Sequence, residues 1–218
     1  LGKVGEMAAA VADAGGSKPT RPSISQVAQP SGQKLGSYEL VSKLGQGGMG
    51  AVYKAHQESM DRTVAIKVLP RNLARNEEFI ARFLREARAA GRLSHPNIVA
   101  GIDAGHADGY YYFAMEYVEG WSLGERLEDG PLDEQEVVRI GRQMADALDH
   151  AHAAGIGHRD VKPDNLLVNG AGKVKVADFG LAMAMGMERL TKSGAFVGTP
   201  THMAPEQFEG KLHDVGPE

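Results

Sequence analysis

The sequence predicts an α+β fold in which an antiparallel sheet with one helix precedes a mainly helical part. Five runs with strand character come first, and residues 76–93 and the region after residue 133 have helical periodicity instead. In the second helical region Asp133 can cap the first turn, and the buried face is predicted to consist of Val137, Ile140, Met144, Leu148 and Ala151. Short polar turns separate several of the runs, as antiparallel pairing requires. The five runs are residues 38–44, 51–55, 63–69, 98–104 and 110–117.

Length and composition limit the possible classes of protein. The 218 residues have room for one domain, or for one domain and a tail. The net charge of -4 gives no indication of a nucleic-acid partner, and the lack of cysteine excludes disulfides and thiolate metal sites. No apolar run approaches the roughly 20 residues that span a bilayer. The chain begins at Leu1 without a signal-peptide pattern, so we expect it to be cut from a longer gene product.

The first 36 residues have the composition of a disordered linker. Ala, Gly, Ser, Pro and Gln dominate there, and Pro19, Pro22 and Pro30 interrupt any periodicity. Too little apolar surface is available to offset the entropy of ordering. We therefore expect a linker over 1–36, a first lobe with its connection over 37–118, and a second lobe over 119–218.

Lys67 is the one charged residue inside the apolar run 63–69. A lysine can simply face outward from a half-buried strand, but a buried lysine needs an anionic partner. In the helix predicted at 76–93, Glu86 lies on the same face as Phe79, Phe83 and Ala90. We therefore choose Glu86 as the partner of Lys67, against the alternative of a solvated surface glutamate.

A glycine pattern of the form G-x-G-x-x-G follows the first predicted strand, at Gly45, Gly47 and Gly50. Dinucleotide-binding folds use the same spacing, but there the turn opens into a helix. Here residues 51–55 continue as a strand. The glycines are thus expected at the bend of a hairpin whose backbone can close over phosphates.

The rest of the chain is organised around residues 158–180. This stretch places Asp160, Lys162 and Asn165 on one tight loop, and a short hairpin separates them from Asp178. Two carboxylates, an ammonium and an amide in this arrangement can hold a divalent metal against a polyphosphate while a carboxylate receives a hydroxyl proton.

These motifs, in this order and at this spacing, resemble those of protein kinases, and most closely the eukaryotic-like Ser/Thr kinases of bacteria. The resemblance extends from Tyr38 to about Asp214. It implies a two-lobed kinase fold with an incomplete second lobe, the use of ATP and Mg²⁺, and transfer of the γ-phosphoryl group to a Ser or Thr hydroxyl of a protein substrate.

The resemblance also implies roles for individual residues. Asp160 would accept the hydroxyl proton, Lys162 would neutralise the transferring group, and Asn165 and Asp178 would hold the metal. Lys67, paired with Glu86, would hold the α- and β-phosphates. Besides Lys67 and Asp178, the residues expected to contact ATP are Leu44, Gly45, Gln46, Gly47, Gly48, Met49, Gly50, Ala51, Val52, Ala65, Met115, Glu116, Val118 and Leu167.

Control by phosphorylation is a further implication of the resemblance. Arg159, next to Asp160, is a cation that a phosphate on the facing segment could engage, with Thr191 the first candidate and Ser193 the second. Gly198 and Thr199 would form the turn that docks the substrate. Self-association would allow autophosphorylation, and we expect the chain in the cytoplasm, with any membrane anchor outside this segment.

Three other functions remain to be weighed. A small-molecule phosphotransferase would share the nucleotide loops, but residues 198–199 and 204–206 favour a protein substrate. A dinucleotide-dependent oxidoreductase conflicts with the strand after the glycines. The third is a weak or inactive nucleotide-binding fragment, because several helices of the family would follow residue 218. On that ground we expect marginal stability for this chain.

Overall fold

The computed structural model describes residues 32–47, 50–179 and 202. Its first lobe is a six-stranded antiparallel sheet in the order β1-β2-β3-β4-β6-β5. Five of the strands correspond to the five predicted ones. The sixth, β1, pairs with β2 and lies within the segment expected to be a linker. The strands are β1 (Lys34–Leu35), β2 (Tyr38–Gly47), β3 (Gly50–Gln57), β4 (Arg62–Val68), β5 (Gly101–Ala107) and β6 (Tyr110–Glu116).

One helix, α1 (Glu77–Ala90), packs on this sheet and is close to the predicted range. The Asn76 side chain accepts hydrogen bonds from two backbone N–H groups of the first turn, which explains why the helix begins there. Phe83, Ala87 and Ala90 form its buried face.

Side chains connect strands that are far apart in the sheet order. The hydroxyls of Tyr38 on β2 and Tyr112 on β6 both donate to the Asp103 carboxylate on β5, at 3.1 and 2.8 Å. Burial, together with the neighbouring carboxylate, raises the pKa of Tyr112 to about 12. The sheet is therefore curled, and hydroxyl groups that remain neutral hold β2 near β5, the last strand of the sheet.

The second lobe combines helices with a small sheet. Strands β7, β8 and β9 form a three-stranded antiparallel sheet in that order, and a 3-10 turn at Pro163–Asn165 precedes β8. No helix among the described residues is long and apolar enough to cross a membrane. The elements are β7 (Gly120–Ser122), α2 (Leu123–Glu128), α3 (Glu134–Ala153), β8 (Leu166–Asn169) and β9 (Val174–Val176).

Helix α3 begins as the sequence predicts, with the Asp133 side chain accepting a hydrogen bond from Glu136 N at 2.8 Å. Ile140 and Ala151 of the predicted apolar face are buried. Val137 was expected on the same buried face, but it is 52% exposed. It lies one turn nearer the start of the helix than Ile140, where the described residues leave about half of its surface uncovered.

The two lobes are joined by backbone and side-chain hydrogen bonds around Asn97. Residues 97–99 run beside β9: Val176 N donates to Asn97 O at 2.8 Å, and Val99 N donates to Val176 O at 2.9 Å. The buried Asn97 amide donates to Gln143 Oε1 on α3 and to Val174 O on β9, at 2.9 and 2.8 Å. The segment after α1 is thus fixed to the second lobe.

We expect Asn97→Ala to lower the free energy of unfolding by about 2–3 kcal/mol, because the buried Val174 carbonyl and the half-buried Gln143 amide oxygen each lose a donor. Chemical denaturation of the two proteins would measure this difference. Asn72→Ala, at an exposed asparagine, is the matched control and should change stability by less than about 0.5 kcal/mol. Equal effects of the two substitutions would contradict the role assigned to Asn97.

Candidate active site

Lys67 is buried in β4, with only 3% of its surface exposed. Its Nζ lies 2.8 Å from Asp178 Oδ2. Burial alone would raise the pKa of the Asp178 carboxyl, but the Lys67 ammonium outweighs it and the pKa lies below its usual value. The site therefore contains an ionised carboxylate beside a buried ammonium, and the pair connects the first lobe to the second.

Asp178 follows β9 and is held there by its neighbours. Ala177 N donates to Asn165 O at 2.8 Å, and Phe179 is 3% exposed. The φ angle of Asp178 is 63°, in the left-handed region that few non-glycine residues adopt. The hydrogen bond of Ala177 and the buried ring of Phe179 fix the backbone on both sides of Asp178.

His158 connects the two loops of the site. Its Nδ1 accepts a hydrogen bond from Asp160 N at 3.2 Å, so its proton is on Nε2, which donates to Ala177 O at 2.8 Å. Its ring contacts the edge of Phe179 with centroids 4.7 Å apart. Burial lowers the pKa of His158, which keeps the ring neutral in this arrangement.

The predicted catalytic residues of the first loop lie together. Asp160 Oδ2 is 3.2 Å from Lys162 Nζ, and Asn165 Nδ2 donates to Asp160 O at 2.8 Å and to Asp160 Oδ2 at 3.1 Å. Asn165 is buried, whereas the side chains of Asp160 and Lys162 are 26% and 23% exposed. The carboxylate is thus oriented by a buried amide and remains open to solvent.

The predicted contact between Lys67 and Glu86 is not formed in this structure. The Lys67 ammonium lies on Asp178, and Glu86 Oε1 accepts a hydrogen bond from Arg85 at 3.2 Å. The Glu86 side chain is nevertheless only 16% exposed, so it faces inward from α1 as its position on the helix predicts. The carboxylate beside Lys67 is therefore that of Asp178, which follows β9, and not that of Glu86 on α1.

The glycine pattern forms the end of the β2–β3 hairpin. Gly45 lies opposite Val52, and Gly47 lies opposite Gly50. Gly50 has a φ of 113°, and a Cβ there would lie 2.1 Å from Val68 O, so any larger residue would displace the neighbouring strand. The backbone can approach β4 closely only with glycine at this position.

The residues expected around the base lie on strands of both lobes. Ala65 on β4 is directly opposite Met115 on β6, and both are buried. Glu116 ends β6, and Val118 lies in the connection to β7. Leu167 on β8 belongs to the same core as Ala65 and Met115. The other expected contacts that the structure describes lie on the β2–β3 hairpin: Leu44, Gln46, Ala51 and Val52.

Several predicted residues lie outside the described part of the chain. They are Gly48 and Met49 of the glycine pattern, Thr191, Ser193, Gly198 and Thr199. Arg159 is described, and its φ of 64° is again left-handed.

The donor atoms present fit a magnesium ion bound together with a nucleotide. Asn165 uses its Nδ2 for hydrogen bonds, which leaves its Oδ1 as an oxygen ligand, and Asp178 supplies an ionised carboxylate. Among the described residues, no group of three or more His, Asp or Glu side chains could hold a metal by itself. Magnesium commonly takes one or two protein oxygens and completes its shell with phosphate and water.

An ion pair that the sequence did not predict lies beside the site. Lys175 on β9 lies 2.7 Å from Glu116 Oε2 at the end of β6. Lys175 lies between Val174 and Val176, which gave it the pattern of an ordinary outward-facing strand residue. Only the register between strands of different lobes reveals its partner.

The family model of the protein kinase domain matches residues 38–216. The serine/threonine-protein kinase PrkC of Bacillus subtilis is 44% identical over 178 residues, which are 81% of this chain and 28% of that protein. The serine/threonine-protein kinase pkn3 of Myxococcus xanthus is 45% identical over 187 residues, which are 81% of this chain and 34% of that protein. The chain thus spans about a third or less of the length of these relatives.

A solved structure has the same fold. The kinase domain of PknI from Mycobacterium tuberculosis superposes with a TM-score of 0.63 at 38% identity, covering 69% of this chain and 61% of that one. The fold class and the family suggested by the motifs are therefore confirmed. This chain belongs to the protein kinase family, among the eukaryotic-like serine/threonine kinases of bacteria, and has the two-lobed α+β fold of that family.

Proposed function

We propose that this chain transfers the γ-phosphoryl group of ATP to a serine or threonine hydroxyl of a protein. One observation carries the proposal: the Asp160 carboxylate lies 3.2 Å from the Lys162 ammonium and accepts a hydrogen bond from the Asn165 amide at 3.1 Å. A backbone hydrogen bond from Ala177 to Asn165 then joins this loop to Asp178 and its partner Lys67. The proposed proton acceptor, Asp160, and the proposed phosphate-binding cation, Lys67, are thereby held at a fixed separation.

Asp160 is the proton acceptor in this proposal. Its carboxylate is accessible to a substrate, and the Asn165 amide fixes its orientation. Lys162, 3.2 Å away, is placed to neutralise negative charge on the transferring group. The reaction asks little covalent chemistry of the protein, so alignment and charge stabilisation supply most of the rate.

Lys67 and Asp178 form the phosphate end of the site. Lys67 is rigid because it is buried, and it presents a fixed positive charge to the α- and β-phosphates. Asp178, ionised, and Asn165 would hold Mg²⁺, which would neutralise charge between the phosphates. In this structure the Lys67 ammonium is bound to Asp178, so we expect it to be shared with the phosphates when ATP binds.

The substrate class, the partners and the location are proposed on the same basis. The relatives are named serine/threonine-protein kinases, and we infer a protein hydroxyl as acceptor here as well. Self-association would let one copy phosphorylate another. ATP as donor requires a compartment that contains it, so we expect the domain in the cytoplasm.

A transfer assay on this chain tests the function. With radiolabelled ATP, Mg²⁺ and a generic basic protein, we expect incorporation that Asp160→Asn lowers by about 100-fold or more, since a positioned base contributes 10²–10⁴. ATP binding should persist in the variant. ATP binding by the wild type without any transfer would instead support the alternative of a nucleotide-binding module that is not catalytic.

Lys67→Met should abolish transfer and leave stability nearly unchanged. Methionine keeps the volume of the buried stem and removes the charge, and a charge clamp of this kind is worth roughly 3 kcal/mol, or about 100-fold in rate. Activity and thermal unfolding would be compared with those of Lys173→Met, at an exposed lysine. Retention of more than about a tenth of the wild-type rate would rule out the assigned role.

We also expect phosphate at Thr191, with Ser193 as the second site. A phosphate near the Arg159 guanidinium would gain charge-assisted hydrogen bonds and could order the segment that carries it. Mass spectrometry after incubation with ATP and Mg²⁺ would locate the phosphate, and Thr191→Ala should lower the rate of transfer. Phosphate found only in residues 1–36 would contradict this prediction.

A further inference from the structure

Glu116, the last residue of β6, is held by several interactions. Its backbone N–H donates to Ala100 O at 2.9 Å. Its carboxylate Oε2 accepts hydrogen bonds from Ala100 N at 3.2 Å and from Lys175 Nζ at 2.7 Å. Lys175 also donates to Ile98 O at 3.3 Å. The end of β6 is thus fixed to Ala100, which precedes β5, and to the second lobe.

Lys175 is on β9, and Leu167 is on the neighbouring strand β8. The two residues are directly opposite in the β8–β9 pair, and opposite residues of an antiparallel pair project from the same face of the sheet. The Lys175 side chain is 15% exposed and that of Glu116 is 33% exposed. The contact is therefore partly shielded from water, and solvent screens it less than a surface ion pair.

We infer that the ion pair between Glu116 and Lys175 positions the residues that hold the adenine base. The inference rests on the proposed function and on the ATP contacts that the resemblance to kinases implies, in which the backbone of Glu116 and Val118 would meet the edge of adenine and Leu167 would cover one face. The ion pair sets the distance between that backbone and Leu167. Glu116 and Lys175 are positioning residues here, because their side chains act through the backbone and through Leu167.

Loss of this ion pair should affect one part of the site selectively. The Lys67–Asp178 pair and the Asp160 loop make their own hydrogen bonds, and none of these includes Glu116 or Lys175. The contacts between Glu116 and Ala100 also remain when Lys175 is changed. The affinity for the base should therefore fall while the phosphoryl-transfer step and the fold are kept.

Lys175→Met is the direct test, since methionine preserves much of the stem and removes the charge. We expect KM for ATP to rise about tenfold, which corresponds to about 1.4 kcal/mol, with kcat within about twofold of wild type. Lys175→Arg should restore most of the affinity, because a guanidinium can still donate to Glu116. Lys173→Met, at an exposed lysine two residues earlier, is the matched control and should resemble the wild type.

A ligand without a base separates positioning from a general structural effect. Inhibition by tripolyphosphate should be the same in Lys175→Met and in the wild type, because this ligand uses only the phosphate end of the site. Glu116→Gln should weaken ATP binding as Lys175→Met does, and the double variant should be no worse than either single one.

The outcomes distinguish this inference from the proposed function. Unchanged ATP affinity in Lys175→Met would overturn the inference and leave the function intact. Lys175→Met could instead lose tripolyphosphate affinity, kcat and melting temperature together, with no recovery in Lys175→Arg. That result would overturn the inference in favour of a structural role for Lys175. A wild type that binds ATP without transferring phosphate would contradict the function, and titration of ATP binding would still test the inference. A wild type that binds no ATP would overturn both.

Discussion

The structure depends on a lysine buried in an apolar strand. Lys67 can remain charged inside the sheet only if an anion compensates for the lost hydration, and the anion in this structure is Asp178 of the other lobe. Removal of Asp178 would leave the Lys67 ammonium buried without its counterion, which is far more costly than the intact pair. Asp178 is different, because 24% of its side chain is exposed and water could hydrate it if Lys67 were replaced. The requirement of Lys67 for an anion fixes β4 against the residues after β9, and so brings the two halves of the site together.

Asp160 and Asp178 lie on short loops, yet they are rigidly placed. His158 is bonded to the backbone of both Asp160 and Ala177, and Asn165 holds the Asp160 carboxylate while its own carbonyl accepts from Ala177 N. Phe179 packs its ring on His158. Each loop is therefore oriented by the other, and no regular secondary structure is needed at the reacting groups.

Features set by local sequence could be predicted, whereas those set by the meeting of distant segments could not. The glycine hairpin and the cap at Asp133 follow from neighbouring residues, and both were predicted. Glu86 has the inward position predicted from helical periodicity, but periodicity could not indicate whether Lys67 would meet it or Asp178. Val137 lies on the predicted face of α3, but the described residues cover only about half of its surface. The Lys175 contact depends on strand register across two lobes, which no local pattern encodes.

Strand β9 links the two ends of the proposed nucleotide site. Lys175 on β9 meets Glu116 near the base, and Asp178, two residues beyond the strand, meets Lys67 near the phosphates. Hydrogen bonds between Val176 and residues 97–99 hold the same strand against the first lobe. A displacement of β9 would consequently move the base end and the phosphate end together. The three-residue strand thus couples the two ends of the proposed site, and its position would determine whether one ATP molecule could occupy both.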